Sequence, residues 1–446
     1  MRRKKPLLAA LAAMLALCLT GCPALSVDEM YSLPRQSDSY NALQNAINEI
    51  LVNGLQYASP VSGSNQQPIQ MADLTGDGID EAIVFTKTDG VKPLRVQIFG
   101  KSRDSYTWLC SMDGDGSAFD RVEYAQIDGE PGLEIVVGRS LGNQGLQTIS
   151  AYRLEQDQPT ELMSANYTEF CMTDLDGNET RDLFVIRYDA ENRNGIAELY
   201  RYENSEMQRS TETAMSAGAD AVRRITTGNL KEGLPAVFVS SVTEDAQIVT
   251  DIFTLQNGTL NVLSSDKDLS FTNCPVRGYN VYADDLDGDG FVEIPNVMLL
   301  NSYSEETADD QFFAIEWFSC TAERNATQKL TTYHNYSGGW YLTLPEKLGV
   351  RFIVWRGDTV SGARGLDFFS ERENGTPGDL LFTIYAFSGD NRSLLAEEDG
   401  RFPLAEKNEV IYCALLGETA ENFEITRESL SSAFHFIQVN WNSGET

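Results

Sequence analysis

The chain has 446 residues, with 66 acidic side chains against 34 basic ones and a formal net charge of −32. A surface of that sign excludes electrostatic capture of nucleic acid or of anionic lipid. Beyond Cys22 the cysteines are Cys110, Cys171, Cys274, Cys320 and Cys413, an odd number without short-range pairs or zinc spacing, which favours buried free thiols over a disulfide framework and leaves a single pair open.

Residues 1–21 read as a processing signal. Arg2, Arg3, Lys4 and Lys5 are followed by an apolar stretch, Leu7 to Leu19, that is too short to span a bilayer. The order Leu19-Thr20-Gly21-Cys22 resembles the lipobox of bacterial lipoproteins. That resemblance implies cleavage before Cys22, a lipid on its sulfur, and a body held at the extracellular face of the cell membrane by this anchor alone. Cleavage removes four positive charges and moves the net charge from −32 to −36.

Residues 22–67 read as a tether and one short helix. Ser37 to Ser39 offer N-caps, Leu43, Ala46, Ile47, Ile50 and Leu51 fall at helical spacing, and Gly54 stops the run.

From 68 to 328 the chain reads as strand, punctuated by an acidic loop at intervals of 48 to 57 residues. The copies are Asp73-Leu-Thr-Gly-Asp-Gly-Ile-Asp-Glu81, Gln126-Ile-Asp-Gly-Glu-Pro-Gly-Leu-Glu134, Asp174-Leu-Asp-Gly-Asn-Glu-Thr-Arg-Asp182, Gly228-Asn-Leu-Lys-Glu-Gly-Leu-Pro-Ala236 and Asp285-Leu-Asp-Gly-Asp-Gly-Phe-Val-Glu293. Each runs into a short apolar strand, and about four strands fit in one period. That content predicts a mainly β fold, a β-propeller of about five four-stranded blades. Asp113 to Asp120 is acidic too, but its carboxylates are out of register and it reads as an ordinary turn.

The spacing of the loops carries chemistry. Oxygens at alternate positions of a tight turn converge, a glycine at position six lets the chain wrap, and a carbonyl at seven and a carboxylate at nine complete a hard-oxygen shell suited to calcium. The fifth loop has the full set: Asp285, Asp287, Asp289, the Phe291 carbonyl and Glu293. The first offers Asp73, Thr75, Asp77, Ile79 and Glu81; the third offers Asp174, Asp176, Asn178, Thr180 and Asp182, with Glu179 in place of the glycine. The second and fourth read as solvated turns.

These loops resemble the FG-GAP/VCBS-type repeat of integrin α-subunit propellers. The resemblance covers roughly 68–325 and implies calcium-stabilised blades and a cell-surface binding role.

Residues 329–446 lose the period. They read as a small C-terminal α+β domain with a helix that starts at Thr426 and carries Leu430, Ala433, Phe434 and Ile437 on one face; the same stretch could instead supply further blades. The two histidines, His334 and His435, have no nucleophile or metal partner in view. The whole therefore reads as a monomeric, lipid-anchored binding or adhesion scaffold for a surface protein or glycan, with structural calcium, no catalytic residues and no nucleic-acid partner. The alternative is an extracellular glycoside hydrolase or lyase with a carboxylate pair in the propeller funnel, since such a pair needs no histidine.

Overall fold

The computed structural model describes residues 38–51, 54–103, 105–142, 146–189, 194–243, 247–263, 273–275, 281–300 and 312–437. The signal segment and Cys22 lie outside them. No helix among the described residues is long and apolar enough to cross a membrane.

The chain is mainly β, folded into six antiparallel sheets of four or five strands. The first contains Gln56–Tyr57, Ile69–Ala72, Glu81–Lys87, Leu94–Ser102 and Ser105–Gly114; the second Ala118–Ala125, Glu134–Ser140, Gln147–Glu155 and Gln158–Tyr167. Glu169–Thr173, Asp182–Asp189, Asn194–Glu203 and Glu206–Ala214 make the third. The fourth is built from Val222–Asn229, Pro235–Val242, Gln247–Gln256 and Thr259–Val262, with Asn273–Pro275 added beside Gln247–Gln256.

The apolar run after each of the first four acidic loops is a strand buried on both faces. Its side chains alternate between two neighbours, which is why the sequence shows a continuous run instead of a polar alternation. Ile83 and Phe85 pack against Val122, Ile135 and Val137 of the second sheet, whereas Ala82 and Val84 meet Leu43 and Ile47 of the helix Asp38–Leu51. Val136 turns to Leu183 and Val185, then Phe184 and Ile186 to Val237 and Val239, then Phe238 to Ile294. Each large apolar side chain so enclosed contributes about 1.5–3 kcal/mol. The sheets thus follow one another face to face in chain order.

The fifth sheet holds Glu293–Leu299, Phe313–Cys320, Ala326–Asn335, Trp340–Leu344 and, returning from the C-terminal end, Phe434–Phe436. The boundary expected at 328 therefore falls inside a strand. The expected C-terminal helix is also shorter: Thr426 does cap it, with a reciprocal bond to Ser429, but it spans only Arg427–Ala433. Phe434 leaves the helical face to pair opposite Leu342 and to stack on Trp340 at 5.2 Å, so sheet pairing and ring contact outweigh the last helical turn.

The sixth sheet contains Phe352–Val360, Ala363–Glu371, Pro377–Ser388, Phe402–Lys407 and Val410–Leu416, and packs on the fifth through Tyr333, Phe368 and Phe382. It has no acidic loop, and so it was not visible as a repeat. Its far face, with Tyr385, Phe387 and Ile411, is covered by the helix Arg392–Glu397. Among the described residues no buried cluster joins the first sheet to the sixth; each end face is closed by its own helix.

Candidate functional site

The acidic loops line one end of successive sheets and lean on one another. The position-eight N–H of a loop donates to the start of the preceding loop: Leu133 to the Asp73 carbonyl at 2.9 Å, Arg181 to Gln126 at 2.7 Å and Val292 to Asn229 at 3.0 Å. Position four is glycine in the first, second, third and fifth loops, always at positive φ between 73° and 79°. At Gly76 an added Cβ would lie 2.4 Å from the Pro131 backbone of the next loop.

The position-nine carboxylate is a brace. Glu81, Glu134, Asp182 and Glu293 are all buried, and each accepts the N–H of position two: Leu74 at 2.9 Å, Ile127 at 2.7 Å, Leu175 at 3.4 Å and Leu286 at 3.3 Å. Burial pushes all four upward, Glu134 and Asp182 to about 7. Position one is consumed by the turn in the same way. Asp73 takes the N–H groups of Gly76 and Gly78, Asp174 those of Gly177, Asn178 and Glu179, and Asp285 those of Gly288, Asp289 and Gly290. Ile79, Thr180 and Phe291 at position seven each donate to the side chain at position five.

Two of the three expected metal loops bring carboxylate oxygens together: Asp174 with Asp176 and Asp182, and Asp285 with Asp287 and Asp289, each within 4.8 Å. Asp73, Asp77 and Glu81 form no such cluster. The hard oxygens fit calcium by type. In both convergent loops, however, a side chain from the same sheet already supplies positive charge. Lys329 reaches Asp287 at 2.9 Å, Asp289 at 2.6 Å and Glu293 at 3.0 Å; Arg201 contacts Asp176 and lies 3.8 Å from Asp182. Arg153 serves the second loop through Asp128 at 2.8 Å. Strand register puts Gly100 of the first sheet where Arg153 and Arg201 stand.

A different constellation, invisible in the sequence, sits between the opening strands of the second, third and fourth sheets. A cavity of about 390 Å³ is lined by Asp120 and Arg121 of Ala118–Ala125, Tyr167, Glu169 and Phe170 around the start of the third sheet, and Arg223 and Arg224 of Val222–Asn229, with Ser62 and Gln66 alongside. The buried Tyr167 hydroxyl and the Ser62 hydroxyl, the latter at 3.3 Å, both donate to the Asp120 carboxylate. Glu169 has no hydrogen-bond or ion-pair partner among the described residues. Burial raises it above the usual carboxylate range; Arg121 opposes that shift and Asp120 adds to it. Arg121 is fixed by Glu123 at 2.8 Å and the Phe170 carbonyl at 3.0 Å, and lies over the Phe170 ring at 4.6 Å. A neighbouring cavity of about 560 Å³ shares Gln147 and Tyr167 and is edged by the exposed Tyr188.

Asp120 belongs to the stretch that reads as an ordinary turn, and none of the other cavity residues forms a local motif. The two histidines lie away from this cavity: His334 is buried and pushed down to about 3 by desolvation, and His435 is exposed and stacked on Tyr341. Cys110, Cys171, Cys320 and Cys413 are buried free thiols, as expected.

No protein-family model matches the chain, and no curated protein matches its sequence. Solved structures similar to it include a rhamnogalacturonan lyase from Bacillus licheniformis (11% identity, 74% of this chain and 81% of that one, TM-score 0.30) and an exotype rhamnogalacturonan lyase (12% identity, 79% and 86%, TM-score 0.30). A Lactobacillus plantarum protein is similar at 10% identity over 72% and 86%, with a TM-score of 0.28. The expectation of a chain without enzymatic function is corrected at this point, because rhamnogalacturonan lyases stand among the structures it is similar to. Likeness at that TM-score assigns no activity; the chemistry has to come from the residues themselves.

Proposed function

We propose that this chain is an extracellular carbohydrate-acting enzyme, a glycoside hydrolase or lyase, that uses Glu169 and Asp120 as its proton-transfer pair. The observation that carries the reading is the contrast between two carboxyl groups in one cavity. Glu169 is unpartnered and held toward its neutral form by burial, while Asp120 accepts from two hydroxyls, an arrangement that suits a group which only accepts. In either reaction the glycosidic oxygen must receive a proton as it departs, and Glu169 supplies it. Asp120 takes the balancing proton, from the attacking water in hydrolysis or from the sugar carbon in elimination. Tyr167 orients Asp120, and the exposed ring of Tyr188 in the adjoining cavity offers a face for the next sugar.

The six sheets would then be blades of the FG-GAP/VCBS type, hung from the membrane by a lipid on Cys22. Calcium, where it binds, would neutralise the carboxylates of the third and fifth loops in place of Arg201 and Lys329.

The test is turnover of a polysaccharide panel, followed both by new reducing ends and by the absorbance of unsaturated sugars. Glu169→Gln should lower kcat by about 10²–10⁴-fold with binding retained. In the wild type kcat should fall as pH rises through the elevated Glu169 titration. Full activity in the Glu169→Gln variant, or no turnover of any polymer by the folded chain, overturns the reading.

A further inference from the structure

The cavity is anomalous in charge. In a protein with almost twice as many acids as bases, three arginines, Arg121, Arg223 and Arg224, line one space of about 390 Å³. They are not equally engaged. Arg121 is neutralised by Glu123. Arg223 is exposed and donates only to the backbone carbonyls of Asp220 and Val222. Arg224 is the telling one: its side chain is only 10% exposed, one terminal nitrogen reaches Asp284 at 3.3 Å, and the other, Nη1, is buried without any hydrogen-bond partner.

A buried guanidinium nitrogen with nothing to donate to costs the fold more than a typical hydrogen bond returns. Of the six arginines among the described residues that hold such a nitrogen, Arg224 alone lines this cavity, where a bound ligand can complete the shell. The missing partner has to be an acceptor, and the fork geometry of a guanidinium matches the two oxygens of a carboxylate. Arg223, the next residue along the same strand, adds a second unpaired charge at the cavity.

We propose that Arg224, assisted by Arg223, forms a subsite for the carboxylate of an acidic sugar, so that the ligand is a uronate-bearing glycan and not a neutral one. The assignment rests on the carbohydrate reading above and narrows it to a substrate class. Arg224 binds and positions; no bond is made or broken at it.

The experiment measures binding without turnover, so that it stands apart from the enzymatic reading. Oligosaccharides containing glucuronate or galacturonate, and the same oligosaccharides after reduction of their carboxyl groups, are titrated calorimetrically into Glu169→Gln protein. Inorganic sulfate is the control. The acidic forms should bind at least 10-fold more tightly than the reduced ones. Adding Arg224→Gln should erase that preference with a 10–100-fold loss for the acidic sugar alone, the size expected for a charge-assisted pair. Because Arg224→Gln also removes the ion pair with Asp284, Arg223→Gln serves as a second variant that leaves this pair intact; a loss of a few fold, again confined to the acidic forms, is expected there. Equal binding of acidic and reduced sugars, sulfate binding as tightly as the uronates, or an unchanged preference in both arginine variants overturns the subsite. If the preference depends on Arg224 while no polymer is turned over, the subsite stands and the enzymatic reading alone fails.

Discussion

Glu134 offers a direct test of how the acidic loops are built. Its carboxyl is 2% exposed and accepts the Ile127 N–H at 2.7 Å, yet burial drives it from 4.5 to about 7; the nearby Asp128 charge adds to the shift, against the Ile127 N–H. A folded-state value above the unfolded one means that the native chain holds the proton more tightly. The stabilisation is complete below pH 4.5, declines between 4.5 and about 7, and is gone above. At 1.36 kcal/mol per unit, ionised Glu134 costs the fold up to about 3 kcal/mol at pH 8. Glu134→Gln keeps a carbonyl oxygen for Ile127 and cannot ionise. It should therefore be more stable than wild type above pH 7 by up to about 3 kcal/mol, and within about 1 kcal/mol of it at pH 4. Urea unfolding midpoints from pH 4 to 8 read this directly. Asp182 also sits near 7, so wild type and variant should both lose stability with rising pH, the variant with the shallower slope. Identical slopes would refute the claim that the position-nine acid is a buried, proton-holding brace.

Two further predictions concern the other loops. Replacing Lys329 with Gln leaves Asp287, Asp289 and Glu293 without their cation, so the thermal midpoint should drop in EDTA and calcium should restore it with at least 10-fold higher apparent affinity than in wild type; an unchanged calcium response would show that Lys329 does not compete for the loop. Glu179 holds φ +70° where the first and fifth loops have Gly78 and Gly290. Relief of about 1–2 kcal/mol of left-handed strain, less the flexibility glycine adds to the unfolded chain, should make Glu179→Gly more stable by about 0.5–1 kcal/mol, read as a higher urea midpoint.

The part of the fold legible in the sequence is the part whose physics is local. The apolar runs after the first four acidic loops stand out because each is buried on two faces, and the loops stand out because a turn must offer its own oxygens at alternate positions. The sixth sheet lacks that loop and so carries no period, although its strands Phe352–Val360 and Pro377–Ser388 are as long as those of the repeats. Phe434–Phe436 read as helix because its apolar spacing fits a helical face, and only its distant partner Trp340–Leu344 decides otherwise. The cavity was illegible for the same reason. Asp120, Glu169 and Arg224 come from three sheets, at separations that match the repeat, but the residue type differs at each, so no recurring motif marks them.

The cations in the loops were within reach. Tyr152-Arg153 and Tyr200-Arg201 recur at one place in consecutive repeats, opposite the strand that each acidic loop feeds. A metal loop needs two or more charges neutralised, and a basic side chain at that register does part of the same work without dissociating. Once such a residue is fixed, the glycine at position six and the full carboxylate set are no longer required. The second and third loops lack them, with Pro131 and Glu179 at position six, and have the buried acid at position nine. The fifth loop has the full set and Lys329 as well, from a different strand. The first loop has glycine at 100 and receives no basic side chain among the described residues, so Glu81 is raised by burial with nothing opposing it but the Leu74 and Thr75 N–H groups. The acidic loops are therefore best understood as one braced turn with interchangeable counter-charges, in which proton, lysine and arginine stand for one another.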